Sequence, residues 1–419
     1  MIGGCSNQMP DYDVIVIGAR CAGAPLAMLL AQQGRRVLAI DRAQFPSDTI
    51  STHFMWPRTT AFLAKWGLLD ELAATGCPPI EKVRIHFGDA TLEGRPEAVD
   101  GTAIMYCPRR TVLDALLVDA ARRAGAEVRE RTLMRELLRD GDRVVGVRLA
   151  GPDGVRDARA ALVVGADGLT SGVAHAVQAK DERAHPSLTC GFYAYWEGVP
   201  TDGVEFYLRH GRDVLVFPTH DGLTCLWVGR ANGEWPAYKA DIEQVYLAGL
   251  DGQLRERVQA GRRVTPFKGT HRLPNRYQAC WGEGWALVGD AAYHRDPLTG
   301  MGIGDAFLGA DLLAAAIDAG LRADLASALA GYQQALWDRT GHVFDYTIQS
   351  AALKDPAPLA PLYAEIGRRP QMVQLLMNVL GGSAPSRSLF NARTIAELTR
   401  GTSRSRTPPP APAPGGSGR

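Results

Sequence analysis

The stretch that most constrains the fold is residues 13–41. Residues 14–17 (V-I-V-I) are a short continuous apolar run, as a parallel strand buried on both faces requires. A glycine turn follows from Gly18 to Gly23, and leucines at 26, 29 and 30 then repeat at helical spacing. Gly34 ends that helix, residues 37–40 make a second apolar run, and Asp41 stands at its end. The pattern predicts a β-α-β unit whose helix N-terminus faces a pyrophosphate. Asp41 lies 23 residues after Gly18, where an acid accepts hydrogen bonds from a ribose hydroxyl. The dinucleotide fingerprint G-x-G-x-x-G here reads G-A-R-C-A-G, with Arg20 at its middle glycine. Either the guanidinium points away from the phosphates, or it supplies charge where a glycine supplies close approach.

Bulk properties remove several classes of function. A net charge of +1 gives no electrostatic case for nucleic acid or an acidic membrane surface. No apolar run approaches the ~20 residues of a membrane span, so no stable membrane insertion is expected. Seven cysteines form no C-x-x-C pair, which fits a reducing, cytoplasmic setting better than a disulfide scaffold. No His/Cys/Asp/Glu spacing points to a metal. With 419 residues, two or three domains are expected. Residues 401–419 are rich in Ser, Pro and Gly and read as a disordered tail.

Two further apolar runs end in the same way as the first. Residues 162–164 lead into Gly165, Asp167 and Gly168, and residues 285–288 lead into Gly289 and Asp290. Pro297, Gly300 and Gly302 then precede a long apolar helix over 306–319. Between these runs, residues 189–230 are β-rich and aromatic and predict a separate antiparallel sheet, and 241–259 reads as helix. Ligands of open α/β sheets bind beyond the carboxyl ends of the strands. Three acid-bearing ends therefore imply a ligand more extended than one nicotinamide nucleotide.

This set resembles the class A flavoprotein monooxygenases of the p-hydroxybenzoate hydroxylase type, which are related to geranylgeranyl reductases and flavin-dependent halogenases. The resemblance covers roughly residues 12–344. It implies an α/β chain with a Rossmann-like FAD-binding domain (GR2 type), an inserted antiparallel-sheet substrate domain and C-terminal helices. The FAD-binding domain would comprise 11–80, 101–178 and 268–345. The substrate-binding sheet would comprise 81–100 and 179–267, with a helical region over 346–400. Gly18, Arg20, Gly23, Asp41 and Arg42 would then serve the adenosine-diphosphate half of FAD. Asp167 and Asp290 would serve the rest of the cofactor, and Pro297, Gly300 and Gly302 would line the isoalloxazine. Arg110, in R-x-x-L-D spacing with Leu113 and Asp114, resembles the family arginine near the flavin. The sequence departs from the family pattern at Arg20, Ala174, Met301 and Gly304.

The implied reaction is an NAD(P)H-driven hydroxylation or epoxidation of a mid-sized aromatic or polycyclic substrate. In it, hydride passes to FAD, and molecular oxygen is activated as a flavin hydroperoxide. The expected protein is a monomer or homodimer. His53, His294 and Arg295 are the candidate catalytic residues, although a loop histidine with ordinary hydrogen bonds is an equal reading of His53. Tyr195, Trp196 and Phe217 are candidate substrate contacts, with core packing as the alternative. Cys21, inside the phosphate turn, reads as packing rather than redox. Two rivals stand beside the monooxygenase. One is a flavin-dependent reductase of carbon–carbon double bonds, geranylgeranyl-reductase-like. The other is a plain NAD-dependent dehydrogenase, which predicts a colourless protein.

Overall fold

A computed structural model of the chain describes residues 10–88, 90–389, 391 and 394. The first apolar run forms strand Tyr12–Ile17, flanked in parallel by Val37–Ile40 on one side and by the end of Gly154–Gly165 on the other. Glu127–Arg129 extends the sheet beyond Val37–Ile40, and Trp285–Leu287 extends it beyond Gly154–Gly165, again in parallel. Val14, Ile15 and Val16 are fully buried, in one core with Leu26 and Leu30 of the following helix and with Val144, Val147 and Leu149 of strand Arg143–Gly151. Helix Gly23–Gln32 packs against Arg110–Arg123 and Gly302–Gly320, burying Leu26 and Leu30 completely. Each such leucine contributes about 1.5–3 kcal/mol of transfer free energy. Because these strands are parallel neighbours, Asp41, Asp167 and the Gly289–Ala291 turn emerge at one edge.

The aromatic region forms a second sheet, in which Thr189–Glu197, Thr224–Ala231, Arg212–Pro218 and Val204–Arg209 pair antiparallel in that order. Val83–Phe87 joins it in parallel beside Val204–Arg209, and Ala90–Gly94 closes that edge. Side chains alternate across the sheet. One face carries Tyr193, Tyr195, Phe206, Phe217 and Trp227. The other carries Phe192, Trp196, Val214 and Val228 beneath helices Trp235–Ala240, Ile242–Ala248 and Gly252–Ala260. A three-stranded sheet of Asp181–His185, Asn275–Gln278 and Tyr293–His294 lies at the junction. Helices Leu325–Ala351, Ala360–Gly367 and Pro370–Gly381 follow, and Tyr363 stacks on Phe87.

Local structure departs from the sequence expectation at several points. Residues 57–74 form two helices rather than one, Pro57–Lys65 and Leu69–Ala74, interrupted at Gly67, whose φ of +72° ends the first. The helix over 241–259 is likewise two. The helix expected from 306 begins at Gly302. Strand Leu133–Asp140 has no counterpart in the expectation. Helix over 395–400 and the tail over 401–419 lie outside the described residues. None of the described helices is long and apolar enough to cross a membrane. Among the described residues, no cluster of His, Cys, Asp or Glu suited to a metal occurs. The six described cysteines are buried free thiols.

Candidate functional site

The edge where the acids emerge opens into a cavity of about 630 Å³ between the parallel sheet and the aromatic face of the second sheet. Ligand pockets typically span about 300–1,000 Å³. At one end lies the glycine turn. Gly18 has φ +98°, and a Cβ there would meet Ala166 O; a Cβ at Gly23 would meet Gly18 O. Both positions therefore demand glycine, and the turn brings backbone amides and the N-terminus of helix Gly23–Gln32 to the cavity wall. Asp41 is buried beside it and accepts from Ala19 N at 2.9 Å and Ala43 N at 2.8 Å, while exposed Arg42 lines the mouth.

Arg20 resolves the fingerprint's anomaly. Its Nη1 lies 2.5 Å from Asp114 Oδ2 and 3.2 Å from Ser47 O, and its Nη2 donates to Ser47 Oγ at 3.0 Å. The guanidinium also lies over the Phe45 ring. Arg20 thus lines the cavity while its charge is held by Asp114. Asp114 is fully buried and also receives Arg110, whose Nε and Nη2 each lie 3.0 Å from Oδ1. Cys21 Sγ donates to the same carboxylate at 3.4 Å, and burial pushes that thiol far above its ordinary pKa, so it has no thiolate character.

The two later acids differ from each other. Asp167 binds its own chain: it accepts from Ser171 Oγ at 2.5 Å and Gly172 N at 2.7 Å, fixing the start of helix Gly172–Ala176. Burial nonetheless raises its pKa above the ordinary carboxylate range, against those hydrogen bonds. Asp290 lies in the turn Gly289–Ala291, exposed toward the cavity and near Arg110. Pro297, Gly300 and Gly302 line the far end. Gly300 takes φ +64°, and a Cβ on Gly302 would meet only open space, which leaves that helix N-terminus bare to a ligand.

The wall opposite comes from His53, Phe54, Tyr193, Trp227 and Leu273. His53 takes φ +59°, a left-handed conformation uncommon for a non-glycine residue, and its N donates to Ser51 Oγ at 3.1 Å. The ring is buried, and Nε2 shares a hydrogen bond with Tyr195 OH. Nδ1 has no partner among the described residues. Burial, reinforced by the Arg110 charge, pushes the imidazole pKa down to about 3, so it is neutral at physiological pH. Burial also keeps the Tyr195 phenol protonated, well above its ordinary pKa.

His294 and Arg295 reach the cavity, yet both are strongly tied. His294 Nδ1 lies 2.5 Å from Pro274 O. Arg295 binds Asp305 through Nε at 2.9 Å and Nη2 at 2.7 Å, and Thr299 and Thr347 through Nη1. The aromatic expectations need correction. Tyr195, Trp196 and Phe217 do not line the cavity. Trp196 projects from the opposite face, where its Nε1 donates to Tyr246 OH at 3.2 Å. Phe217 stacks on Phe54, and Tyr195 stands behind His53. Tyr193 and Trp227 take the wall instead, directly paired across two strands. The Trp227 ring lies over Gly191, where any Cβ would strike it, and its Nε1 donates to Asp213 at 3.0 Å.

An FAD fits these features: a glycine turn for the pyrophosphate, an acid beside it for the ribose, and a bare helix start at the far end. A family model described as an FAD binding domain matches residues 11–334. The digeranylgeranylglycerophospholipid reductase of Methanosarcina acetivorans is 28% identical over 298 residues, spanning 70% of this chain and 71% of that relative. Among solved structures, a flavin-dependent brominase, Bmp2, superposes with TM-score 0.78 at 18% identity, covering 94% of this chain and all of that one. Pseudomonas aeruginosa PqsL, in complex with 2-aminobenzoylacetate, superposes with TM-score 0.69 at 24% identity, covering 87% of this chain and 99% of that one. At those identities the structures establish a shared fold. The chain belongs to the FAD binding domain family and is an FAD-dependent oxidoreductase.

Proposed function

We propose that the protein is an NAD(P)H-driven, FAD-dependent monooxygenase acting on a mid-sized aromatic substrate. The observation that carries this reading is the character of the wall facing the flavin end, where Phe54, Tyr193 and Trp227 offer rigid aromatic surface. Flat aromatic groups pack against flat ligands in offset or edge-on geometry. A twenty-carbon prenyl chain would need a long aliphatic tunnel in a cavity that must first accept the cofactor.

In this reading Gly18, Gly23 and the helix N-terminus behind them hold the pyrophosphate, Asp41 takes a ribose hydroxyl, and Asp290 approaches the linker. Pro297, Gly300 and Gly302 flank the isoalloxazine. Bound FAD supplies the redox chemistry, taking electrons from NAD(P)H and passing them to oxygen. The protein's own work is orientation and exclusion of water. His53 lines the cavity, its ring held through Nε2 by Tyr195 and its buried Nδ1 without a partner among the described residues. A neutral imidazole there orients a hydroxyl or amino group of the substrate without bringing a charge into a dry site.

The experiment is aerobic turnover of the yellow holoenzyme with NAD(P)H and a panel of aromatic acids, amines and phenols. The expected result is substrate-stimulated oxygen uptake and a product heavier by one oxygen. Undiminished product under strict anoxia would overturn the proposal. A second reading, reduction of a carbon–carbon double bond, draws on the name of the Methanosarcina relative. It predicts a product heavier by two hydrogens, formed without oxygen.

A further inference from the structure

A second cavity of about 280 Å³ lies behind the segment that lines the far end of the first. Its walls come from distant parts of the chain: Trp56 and Arg58 at the start of helix Pro57–Lys65, Met301, His342 on helix Leu325–Ala351, and Leu380 with Gly382 where helix Pro370–Gly381 ends. One part is apolar, through Trp56, Met301 and Leu380. The other is basic.

The basic part has more positive than negative groups. Arg58 makes one hydrogen bond among the described residues, from Nη2 to Asp305 Oδ1 at 3.2 Å. Asp305 is already bound through its other oxygen by Arg295. The single carboxylate is therefore shared between two guanidinium groups, and His342 lies on the same wall as Arg58. Burial, with Arg58, Arg295 and Arg387 close by, holds the His342 imidazole below its ordinary pKa, as expected of a site short of negative charge.

We propose that this cavity binds a small amphipathic carboxylate, its headgroup on Arg58 and His342 and its hydrocarbon against Trp56, Met301 and Leu380. Arginine is suited to the headgroup because its planar fork matches a carboxylate. The site is coupled to the main cavity by contact. Trp56 Nε1 donates to Thr299 O at 3.0 Å, and Asp305 joins Arg58 to Arg295, which lines the main cavity. A ligand here touches the back of the segment whose front carries Pro297 and Gly300. The inference does not depend on whether the enzyme oxygenates or reduces.

The test is calorimetric titration of the holoenzyme with sodium octanoate, with octan-1-ol as the uncharged comparison. Saturable one-site binding is expected, with a dissociation constant at or below about 1 mM. Octan-1-ol should bind at least about tenfold more weakly, because a hydrogen bond to a charged group is lost. Arg58→Gln should weaken octanoate by about tenfold or more on the same ground. Leu380→Trp fills the apolar end without touching the ion pairs and should abolish binding, which keeps the test decisive if the Arg58 variant fails to fold. No saturable octanoate binding, equal binding of octan-1-ol, or octanoate binding unchanged in Leu380→Trp would each overturn the proposal.

Discussion

Arg20 and Asp114 give the sharpest prediction. In Arg20→Gly the turn regains the fingerprint's middle glycine, and Asp114 keeps Arg110 through two contacts of 3.0 Å. The Arg20 side chain is 23% exposed, so its removal costs only about 1 kcal/mol, nearer a surface pair than a buried one. Flavin stays bound, because the lost charge was directed at Asp114 and Ser47. Asp114→Asn is the opposite case. It takes from buried Arg110 the carboxylate it is hydrogen-bonded to, and breaking a buried pair in this way costs about 3–5 kcal/mol. The assay is denaturant unfolding followed by tryptophan fluorescence, with flavin content measured on the native protein. A ranking in which Asp114→Asn is neutral within about 0.5 kcal/mol would refute the reasoning, since that is the range of an inert surface change. So would loss of flavin in Arg20→Gly with stability intact, which would mean that the guanidinium holds the phosphates.

Three further outcomes follow from the same geometry. Gly23→Ala drives a methyl group into Gly18 O, so the variant should purify without flavin; a normal flavin complement would contradict the turn. Burial, reinforced by the charge of Asp296, raises Asp213 from 3.8 to about 7, against the hydrogen bond from Trp227. The folded state then binds more protons than the unfolded state between those two values, so stability falls as pH rises from about 4 to about 7, by of order 4 kcal/mol in all. Asp213→Asn should flatten that slope, and an unchanged pH–stability curve would show that Asp213 is not its source. Trp227→Leu should raise KM for an aromatic substrate by about fivefold to tenfold through lost ring contact. Trp196→Leu should lower stability and leave KM alone, and the reverse pattern would exchange the two faces of the sheet.

The parts legible in the sequence were those governed by local rules. A parallel strand buried on both faces reads as an unbroken apolar run, so the strands before Gly18, Asp41, Asp167 and Asp290 stood out. Strand Leu133–Asp140 is not legible because neither of its faces is fully buried and it carries charges along its length, leaving no hydrophobic period to detect. The aromatic block showed a sheet but not its phase. Which of Tyr193 and Trp196 faces the cavity depends on which side packs against the parallel sheet, a tertiary fact. Arg295 lines the cavity, yet its commitment to Asp305 ten residues on, and to Thr347 on a later helix, is set through space. The second cavity has no sequence signature, because Arg58 at a helix start and His342 inside a much later helix share a wall only through tertiary packing.

The most direct test of the central claim is product mass from turnover under oxygen gas enriched in the heavy isotope, with NAD(P)H and an aromatic substrate that stimulates its oxidation. The account predicts one heavy oxygen atom in each product molecule. A product that carries no label and is heavier only by hydrogen would contradict it.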